Sequence, residues 1–176
     1  MWYPATVTTP AANEPVSLVE AKRQVRIDFE DDDEYLTDLI SVARSHAEKY
    51  CNVYLAPQTV AAKADDWCDF RHLPVGPAQS VTSIAYVDST GNPQTLAGTV
   101  YELRNDAIVL KYGQNWPAIH PGSLITLTVA VGTADVQPAI KHAILVRVAD
   151  LYESRESQDD SKWTTFDSLL SNHRYY

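Results

Sequence analysis

The sequence predicts an α+β protein in which a small helical bundle carries an inserted antiparallel β module. Apolar residues recur at three- and four-residue intervals early in the chain and again near its end, as in amphipathic helices. The residues between these stretches form short β-branched or alternating runs separated by Gly, Pro, Asn and Asp. The predicted helices cover about 17–26, 32–52, 138–155 and a short 166–170, and the β module covers about 58–131.

The chain begins with residues 1–14, which are rich in Thr, Pro and Ala and show no apolar period. We expect an extended N-terminal arm that becomes ordered only where something holds it, such as a neighbouring subunit. Its first residues also lack the basic and apolar regions of a secretory signal. The sequence therefore predicts a protein that is made in the cytoplasm.

Two helices follow the arm. Ser17 and Glu20 form a capping box, in which each side chain can bond to the other residue's backbone N–H, so the first helix begins there. In the second helix the apolar stripe runs from Tyr35 to Tyr50. The stripe consists of Tyr35, Leu36, Leu39, Ile40, Ala43, Ala47 and Tyr50.

Six acidic residues follow the first helix and run into the start of the second, and two interpretations are open for them. They are Asp28, Glu30, Asp31, Asp32, Asp33 and Glu34. A cation site is one interpretation, but the spacing lacks the D-x-D-x-D-G pattern and terminal Glu of a calcium loop. The sequence favours a helix N-terminus, where carboxylates oppose the positive end of the helix dipole.

The β module contains five predicted strands and one predicted hairpin. The turn sequence S-T-G-N-P lies within residues 88–94, between two strand-like runs, and predicts that hairpin. Such short strands favour a small antiparallel sheet. The predicted strands are 59–64, 81–87, 99–103, 107–110 and 124–131.

The last part of the chain returns to helical patterns. Pro138 stands at the favoured first position of the third helix, so the helical bundle is predicted to combine residues 15–57 and 132–156. The remaining segment, residues 157–176, begins with a polar loop and contains a short helix that Thr165 can cap. It ends in the aromatic and basic sequence S-N-H-R-Y-Y.

Composition excludes several classes of function. The 14 Lys and Arg against 23 Asp and Glu give a net charge of −9, which disfavours binding to the outside of a nucleic acid. It is compatible with an acidic lumen through which a polyanion slides without sticking. No apolar run approaches the roughly 20 residues that span a bilayer, so we expect no membrane partner.

The chain lacks the common catalytic motifs, and we predict no cofactor. It contains no G-x-S-x-G, no phosphate-binding G-x-x-x-x-G-K-[ST] and no H-E-x-x-H. The one metal-like group, His46, Cys51, Cys68 and His72, lacks the paired C-x2-C spacing of structural zinc sites. Ordinary packing with two free thiols is the favoured interpretation. The alternative function is a small cytoplasmic metal-dependent or thiol enzyme built on Cys68, His72 and His46.

Aromatic residues divide into two groups. Trp67 and Trp116 lie in the β module and are predicted core residues. The others stand near the chain ends, where exposed aromatics commonly anchor protein interfaces. For the C-terminal tail, a partner interface and folding back on its own subunit both remain open. The end group consists of Trp2, Tyr3, Trp163, Tyr175 and Tyr176.

Several of these segments together resemble the head–tail connector proteins of tailed phages and prophages, also called adaptor or head-completion proteins. The resemblance rests on P-V-S-L-V-E-A-K at 15–22, D-D-E-Y-L-T-D-L-I-S-V-A-R at 32–44 and L-P-V-G-P-A-Q-S-V-T-S-I-A-Y-V-D at 73–88. It continues through E-K-Y-C-N at 48–52, L-A-P-Q-T-V at 55–60, residues 136–156 and F-D-S-L-L at 166–170. Together these pieces cover nearly the whole chain after residue 14.

The resemblance implies a structural, non-enzymatic subunit in the neck of the virion, assembled in the host cytoplasm. Such proteins form a ring, usually of twelve subunits, under the portal protein. The ring extends the DNA channel and docks the stopper or tail-completion protein, and genomic DNA passes through the lumen without sequence-specific binding.

Two sets of contact residues follow as predictions. Those expected to contact the portal or tail are Phe166, Leu169, Leu170, His173, Arg174, Tyr175 and Tyr176. Those expected to contact ring neighbours are Trp2, Tyr3, Asp31, Asp32 and Asp33.

Overall fold

The computed structural model describes residues 1–154 and 164–174, which form two compact units. The β unit combines Met1–Ala12 with Pro57–Thr133, and the helical unit combines Asn13–Ala56 with Ala134–Tyr176. The predicted α+β class with an inserted antiparallel β module is confirmed. The first residues of the predicted arm belong to the β unit, because they pair with one of its strands. No helix in the described ranges has the length and apolar character needed to cross a membrane.

Within residues 13–56, 134–154 and 164–174, the helical unit contains four α-helices. They are α1 (Leu18–Val25), α2 (Asp33–Cys51), α3 (Pro138–Glu153) and α4 (Thr165–Leu170). A single 3-10 turn, Ser171–His173, follows α4. These bounds agree with the predicted ranges to within two residues at each end, since apolar period and capping residues are both local signals.

Caps define the ends of three helices. The predicted capping box at α1 is present, with the Ser17 hydroxyl accepting from the Glu20 N–H at 3.3 Å and the Glu20 carboxylate accepting from the Ser17 N–H at 2.8 Å. Left-handed residues end α1 at Arg26 (φ 59°) and α2 at Asn52 (φ 55°). The prediction that Thr165 caps the last helix was wrong by one residue: Thr164 is the cap, because its hydroxyl accepts from the Asp167 N–H.

The core of the helical unit draws on all four helices. It is built mainly on the predicted stripe of α2, with Leu36, Ile40 and Ala43 buried against α3 and α1. The first residue of the predicted stripe, Tyr35, is not part of the buried core. It is exposed, and its ring lies 6.1 Å from that of Tyr152. Helices α3 and α4 supply Ile140, Ala143, Ile144, Val148, Phe166 and Leu170.

The β unit contains a five-stranded sheet in the order β1-β2-β7-β3-β4 and a separate two-stranded sheet of β5 and β6. Every pairing between neighbouring strands is antiparallel. Strands β2 and β7 alternate buried and partly exposed side chains, the pattern of strands with one face on a core. The strands are β1 (Thr6–Thr9), β2 (Gln58–Ala64), β3 (Ala78–Val87), β4 (Pro93–Thr95), β5 (Tyr101–Arg104), β6 (Ala107–Leu110) and β7 (Ile125–Val131).

The hairpin predicted within residues 88–94 joins β3 to β4. Asp88 organises it: one carboxylate oxygen accepts from the Thr90 N–H at 2.9 Å, the Thr90 hydroxyl at 2.6 Å and the Asn92 N–H at 3.0 Å. Gly91 supplies the positive φ (88°) that the turn requires. The Thr90 hydroxyl and the Asn92 backbone are the main reasons that the pKa of Asp88 lies well below its ordinary value.

An aromatic cluster packs on this unit's core. The Trp67 ring stacks on Trp116 at 4.8 Å between centroids and lies 5.5 Å from Phe70, which is fully buried. Trp67 belongs to the 3-10 turn Trp67–Arg71 and donates its indole N–H to the Pro117 carbonyl. The core prediction holds for Trp67, whereas Trp116 is half-buried because it forms the outer layer of the stack.

Candidate interaction surfaces

The acidic elbow, residues 28–34, connects α1 to α2 and divides into paired and unpaired carboxylates. The Asp33 carboxylate forms an ion pair with the Lys22 ammonium, with 2.6 Å between Oδ1 and Nζ. The Asp32 carboxylate accepts a short hydrogen bond from the Tyr152 hydroxyl. Asp33 and Glu34 lie in the first turn of α2, which is where the dipole interpretation placed them. These contacts show that part of the elbow fastens the helices of its own unit together.

The rest of the elbow faces solvent. Asp28, Glu30 and Asp31 are exposed, and none of the described residues forms an ion pair or side-chain hydrogen bond with their carboxylates. Phe29 stands among them with 48% of its surface exposed. The chain has three Phe residues, and the other two, Phe70 and Phe166, are buried. The Phe29 loop, residues 28–31, therefore presents an aromatic ring flanked by free carboxylates.

An open cavity of about 360 Å³ lies elsewhere in the helical unit. It is enclosed by the C-terminal half of α2, by α3 and by the start of α4, and its chemistry is mixed basic and aromatic. Its lining residues are His46, Lys49, Tyr50, Arg147, Thr164, Phe166 and Asp167, and we call it the basic–aromatic cavity.

Two contacts set the shape of this cavity. The Tyr50 ring meets Phe166 edge-on at 6.0 Å, and the Tyr50 hydroxyl donates to the Asp167 carbonyl at 3.3 Å. The guanidinium of Arg174 lies 5.3 Å from the centre of the Tyr50 ring, a cation–π contact. The aromatic wall is thus held in place by Phe166, Asp167 and Arg174, near the end of the chain.

Positive charge is concentrated at the same place. The Arg147 Nε–H donates to the His46 Nδ1 at 3.2 Å, which holds the guanidinium at the cavity wall. Lys49 is exposed, and its ammonium has no hydrogen bond or ion pair with any described residue. In a chain whose net charge is −9, this grouping of cations is suited to receive an acidic ligand.

The N-terminal residues predicted to contact ring neighbours are engaged within their own chain. The Trp2 indole N–H donates to the carbonyls of Asp69 (3.0 Å) and His72 (2.8 Å), and its ring lies 5.2 Å from Phe70. The Tyr3 hydroxyl donates to Asp65 at 3.1 Å, although the ring is exposed. Pairing of β1 with β2 brings these residues to the β unit. Their contact with a second copy stays a prediction.

The C-terminal residues predicted to contact the portal or tail have two different placements. Phe166 and Leu170 are buried in the helical core, because α4 is amphipathic and packs on its own subunit, and their contact with a portal or tail stays a prediction. Leu169 and His173 are half-buried, and Arg174 is exposed over Tyr50. Tyr175, Tyr176 and Trp163 lie outside the described residues.

The metal-like group considered as an alternative does not form a metal site among the described residues. Its members are His46, Cys51, Cys68 and His72. His46 and Cys51 belong to the helical unit, whereas Cys68 and His72 belong to the β unit. Both cysteines are free thiols, as predicted. Burial raises the pKa of Cys51, which keeps that thiol protonated and unreactive. His72 contacts Asp106 at 3.2 Å instead of a thiol.

Sequence reasoning missed both the Phe29 loop and the basic–aromatic cavity. An exposed Phe inside an acidic run was a readable signal, because large apolar side chains seldom occur among six carboxylates. The cavity left no such signal, since its walls come from residues far apart in sequence.

A family model described as phage gp6-like head-tail connector protein matches residues 15–88, which include α1, α2 and the first part of the β unit. Residues 15–88 belong to the phage head–tail connector family. The family predicted from the sequence is thus confirmed for residues 15–88, and the match supports the predicted class of function, a structural connector subunit. None of the curated protein sequences matches the chain.

Solved structures extend the likeness from this segment to the whole fold. A chain from the neck of an empty gene transfer agent particle, computed with sixfold symmetry, matches with a TM-score of 0.83 and 16% identity. A chain from the virion of a native particle matches with 0.81 and 18%, and one from a native neck computed with twelvefold symmetry with 0.76 and 18%. Each match covers 99% of this chain and 96% of the other. At these identities the matches establish the shared fold.

Proposed function

We propose that the chain is the ring-forming connector subunit of a virion neck. Twelve copies assemble under the portal protein, extend the DNA channel and present a surface to which a stopper or tail-completion protein docks. The subunits are made and assembled in the host cytoplasm, and the ring remains in the virion until DNA ejection. The observation that carries this proposal is the family match over residues 15–88, joined to a fold shared along 99% of the chain with neck proteins.

Ring assembly is supported by the family and by the symmetry of the similar structures. The neck structures were computed with sixfold and twelvefold symmetry, so the proteins they contain occur as repeated copies around an axis. A ring needs two different, mutually complementary surfaces on each subunit. The helical unit offers two candidates of opposite charge, the Phe29 loop and the basic–aromatic cavity.

Passage of DNA is supported by the charge of the chain. Repulsion between a polyanion and a lumen rich in Asp and Glu prevents the sticking that clustered Lys and Arg would cause. A net charge of −9 per subunit is consistent with such a lumen. If the lumen-facing side chains of an assembled ring prove to be mostly Lys and Arg, this part of the proposal fails.

Contact with the portal or tail falls to the end of the chain. The half-buried His173 and the exposed Arg174 follow α4, and Tyr175 and Tyr176 come directly after them. An aromatic and basic tail is suited to grip a protein partner, because Tyr and Arg are enriched at the energetic centres of interfaces.

The test is electron microscopy of the neck of particles that contain this protein, together with the mass of the purified chain mixed with its portal protein. We expect a closed ring of twelve copies on the portal. Density for a single copy, or a mixture that never exceeds monomer mass with the portal present, would overturn the proposal. Removal of residues 173–176 should weaken portal binding while the helical content stays unchanged.

A further inference from the structure

We infer that the Phe29 loop of one copy inserts into the basic–aromatic cavity of a second copy of this chain. The inference rests on the proposed ring and names the two surfaces that join its neighbours. It requires a loop that fits the cavity in size, a match of charge and a reason why the contact forms between copies.

The loop has the size and chemistry of an inserted anchor. A cavity of about 150 Å³ can hold benzene, so the 360 Å³ cavity has room for the Phe29 ring and part of its flanking chain. Tyr50 and Phe166 supply aromatic surface for that ring, and aromatic pairs prefer such edge-on and offset contacts. Burial of Phe29 would remove one of the helical unit's exposed large apolar side chains.

The charges of the two surfaces are complementary. Asp28, Glu30 and Asp31 flank Phe29 without partners among the described residues, while Lys49 is an unpaired cation at the rim of the cavity. Arg147, whose Nε–H donates to His46, adds positive charge to the wall of the cavity. A DNA phosphate is a weaker candidate ligand, because the aromatic wall and Asp167 disfavour a bare polyanion.

The loop cannot reach the cavity of its own chain. It precedes the first turn of α2, whereas His46, Lys49 and Tyr50 lie in the last turns of that helix. From Asp33 to Lys49 the helix rises by ~24 Å. Two complementary surfaces at opposite ends of one rigid helix produce a head-to-tail contact, which closes into a ring when the rotation between copies allows it.

Cross-linking tests the contact directly. Asp31→Cys and Lys49→Cys are introduced into the full chain with Cys68→Ser, since Cys51 is buried. The rings assembled with portal protein are then treated with a short bis-maleimide, whose span is far below the ~24 Å by which α2 rises between Asp33 and Lys49. We expect a ladder of covalent oligomers from the double-cysteine chain and only dimers from a mixture of the two single-cysteine chains. The control pair, Asp31→Cys with Lys63→Cys at an exposed position of the β unit, should give no ladder.

A charge exchange provides the second readout. Lys49→Glu and Asp31→Lys should each weaken ring assembly at least tenfold in the protein concentration required, and the double variant should recover most of that loss. Lys63→Glu changes the net charge equally at an exposed position of the β unit and should have no effect. Circular dichroism of each variant checks that the helices remain folded.

The outcomes separate this inference from the proposed function. Rings that form without the Asp31–Lys49 ladder, or single charge changes that the double variant does not rescue, overturn the inference and leave the ring proposal standing. Loss of assembly by Lys49→Glu alone, with Asp31→Lys silent, also overturns it and assigns the cavity to another acidic partner. If wild-type protein forms no ring with its portal, the proposed function fails and the inference fails with it.

Discussion

Each of the two units packs one end of the chain against its own core or sheet, whereas the charged side chains that remain exposed differ between the units. In the β unit, Trp2 and β1 complete the aromatic cluster and the sheet. In the helical unit, α4 completes the core through Phe166 and Leu170. Both of these terminal segments were expected to reach partners, and both pack against their own chain.

Charged residues form ion pairs in both units. In the β unit the Met1 ammonium pairs with Asp69, and His72 contacts Asp106. In the helical unit Lys22 pairs with Asp33, whereas Asp31 and Lys49, towards opposite ends of α2, have no partner among the described residues. Folding thus buries Trp2, Phe166 and Leu170 wholly or partly, and the contact that we infer between copies uses side chains that stay exposed in the helical unit. Substitutions of individual side chains test the roles assigned to the two units.

The largest effect is expected at the end of α4. Leu170→Ala should reduce the free energy of unfolding of the helical unit by about 2–5 kcal/mol, because it leaves a cavity at a side chain that is 0% exposed. Urea unfolding followed by far-ultraviolet circular dichroism measures it. The control Ser168→Ala, at an exposed position of the same helix, should stay within about 0.5 kcal/mol. Equal effects of the two changes would show that α4 does not contribute to the core and that Leu170 is available for contact with a partner.

Trp2→Ala should have the next largest effect and should act on the β unit. Loss of half-buried aromatic surface and of two hydrogen bonds should cost about 2 kcal/mol. Trp2→Phe keeps the contact with Phe70 and should cost about 1 kcal/mol. Tryptophan fluorescence during unfolding reports this unit through Trp67 and Trp116. If Trp2→Ala leaves the transition unchanged, the N-terminal segment does not stabilise the sheet.

A smaller effect is expected at the first turn of α1. Ser17→Ala removes the hydroxyl that accepts from the Glu20 N–H and should reduce the stability of the helical unit by about 1 kcal/mol. Ser17→Asp retains an acceptor and should lie close to wild type. Circular dichroism during thermal unfolding distinguishes the two, and a larger effect of Ser17→Asp would contradict the capping role.

The smallest effect is expected at the β3–β4 hairpin and depends on pH. Since the folded-state pKa of Asp88 is lowered, its contribution to stability is complete above the ordinary value of 3.8 and is lost as the pH falls towards the folded-state pKa. Asp88→Asn should therefore flatten the acid side of the stability profile followed by tryptophan fluorescence. Thr90→Val, which removes the hydroxyl donor at 2.6 Å, should flatten it less. An unchanged profile in Asp88→Asn would show that the carboxylate does not hold the turn.

The elements that could be read from the sequence are those whose causes are local. The capping box at Ser17, the stripe of α2 and the hairpin at Asp88 each depend on residues within a few positions of one another, so their spacing is visible in the chain itself. The family resemblance follows from the same property, because it consists of short segments in a fixed order.

The helices, most of the strands, the α+β class and the connector family of residues 15–88 could thus be read from local sequence patterns. Tertiary structure alone decided which side chains remained exposed. The Trp2 indole N–H donates to the carbonyls of Asp69 and His72, and the Tyr50 ring packs against Phe166. Both contacts join residues that are distant along the chain. The same packing built the basic–aromatic cavity and left the Phe29 loop in solvent. Local periodicity carries no information about such long-range burial, because a side chain's exposure depends on what folds over it.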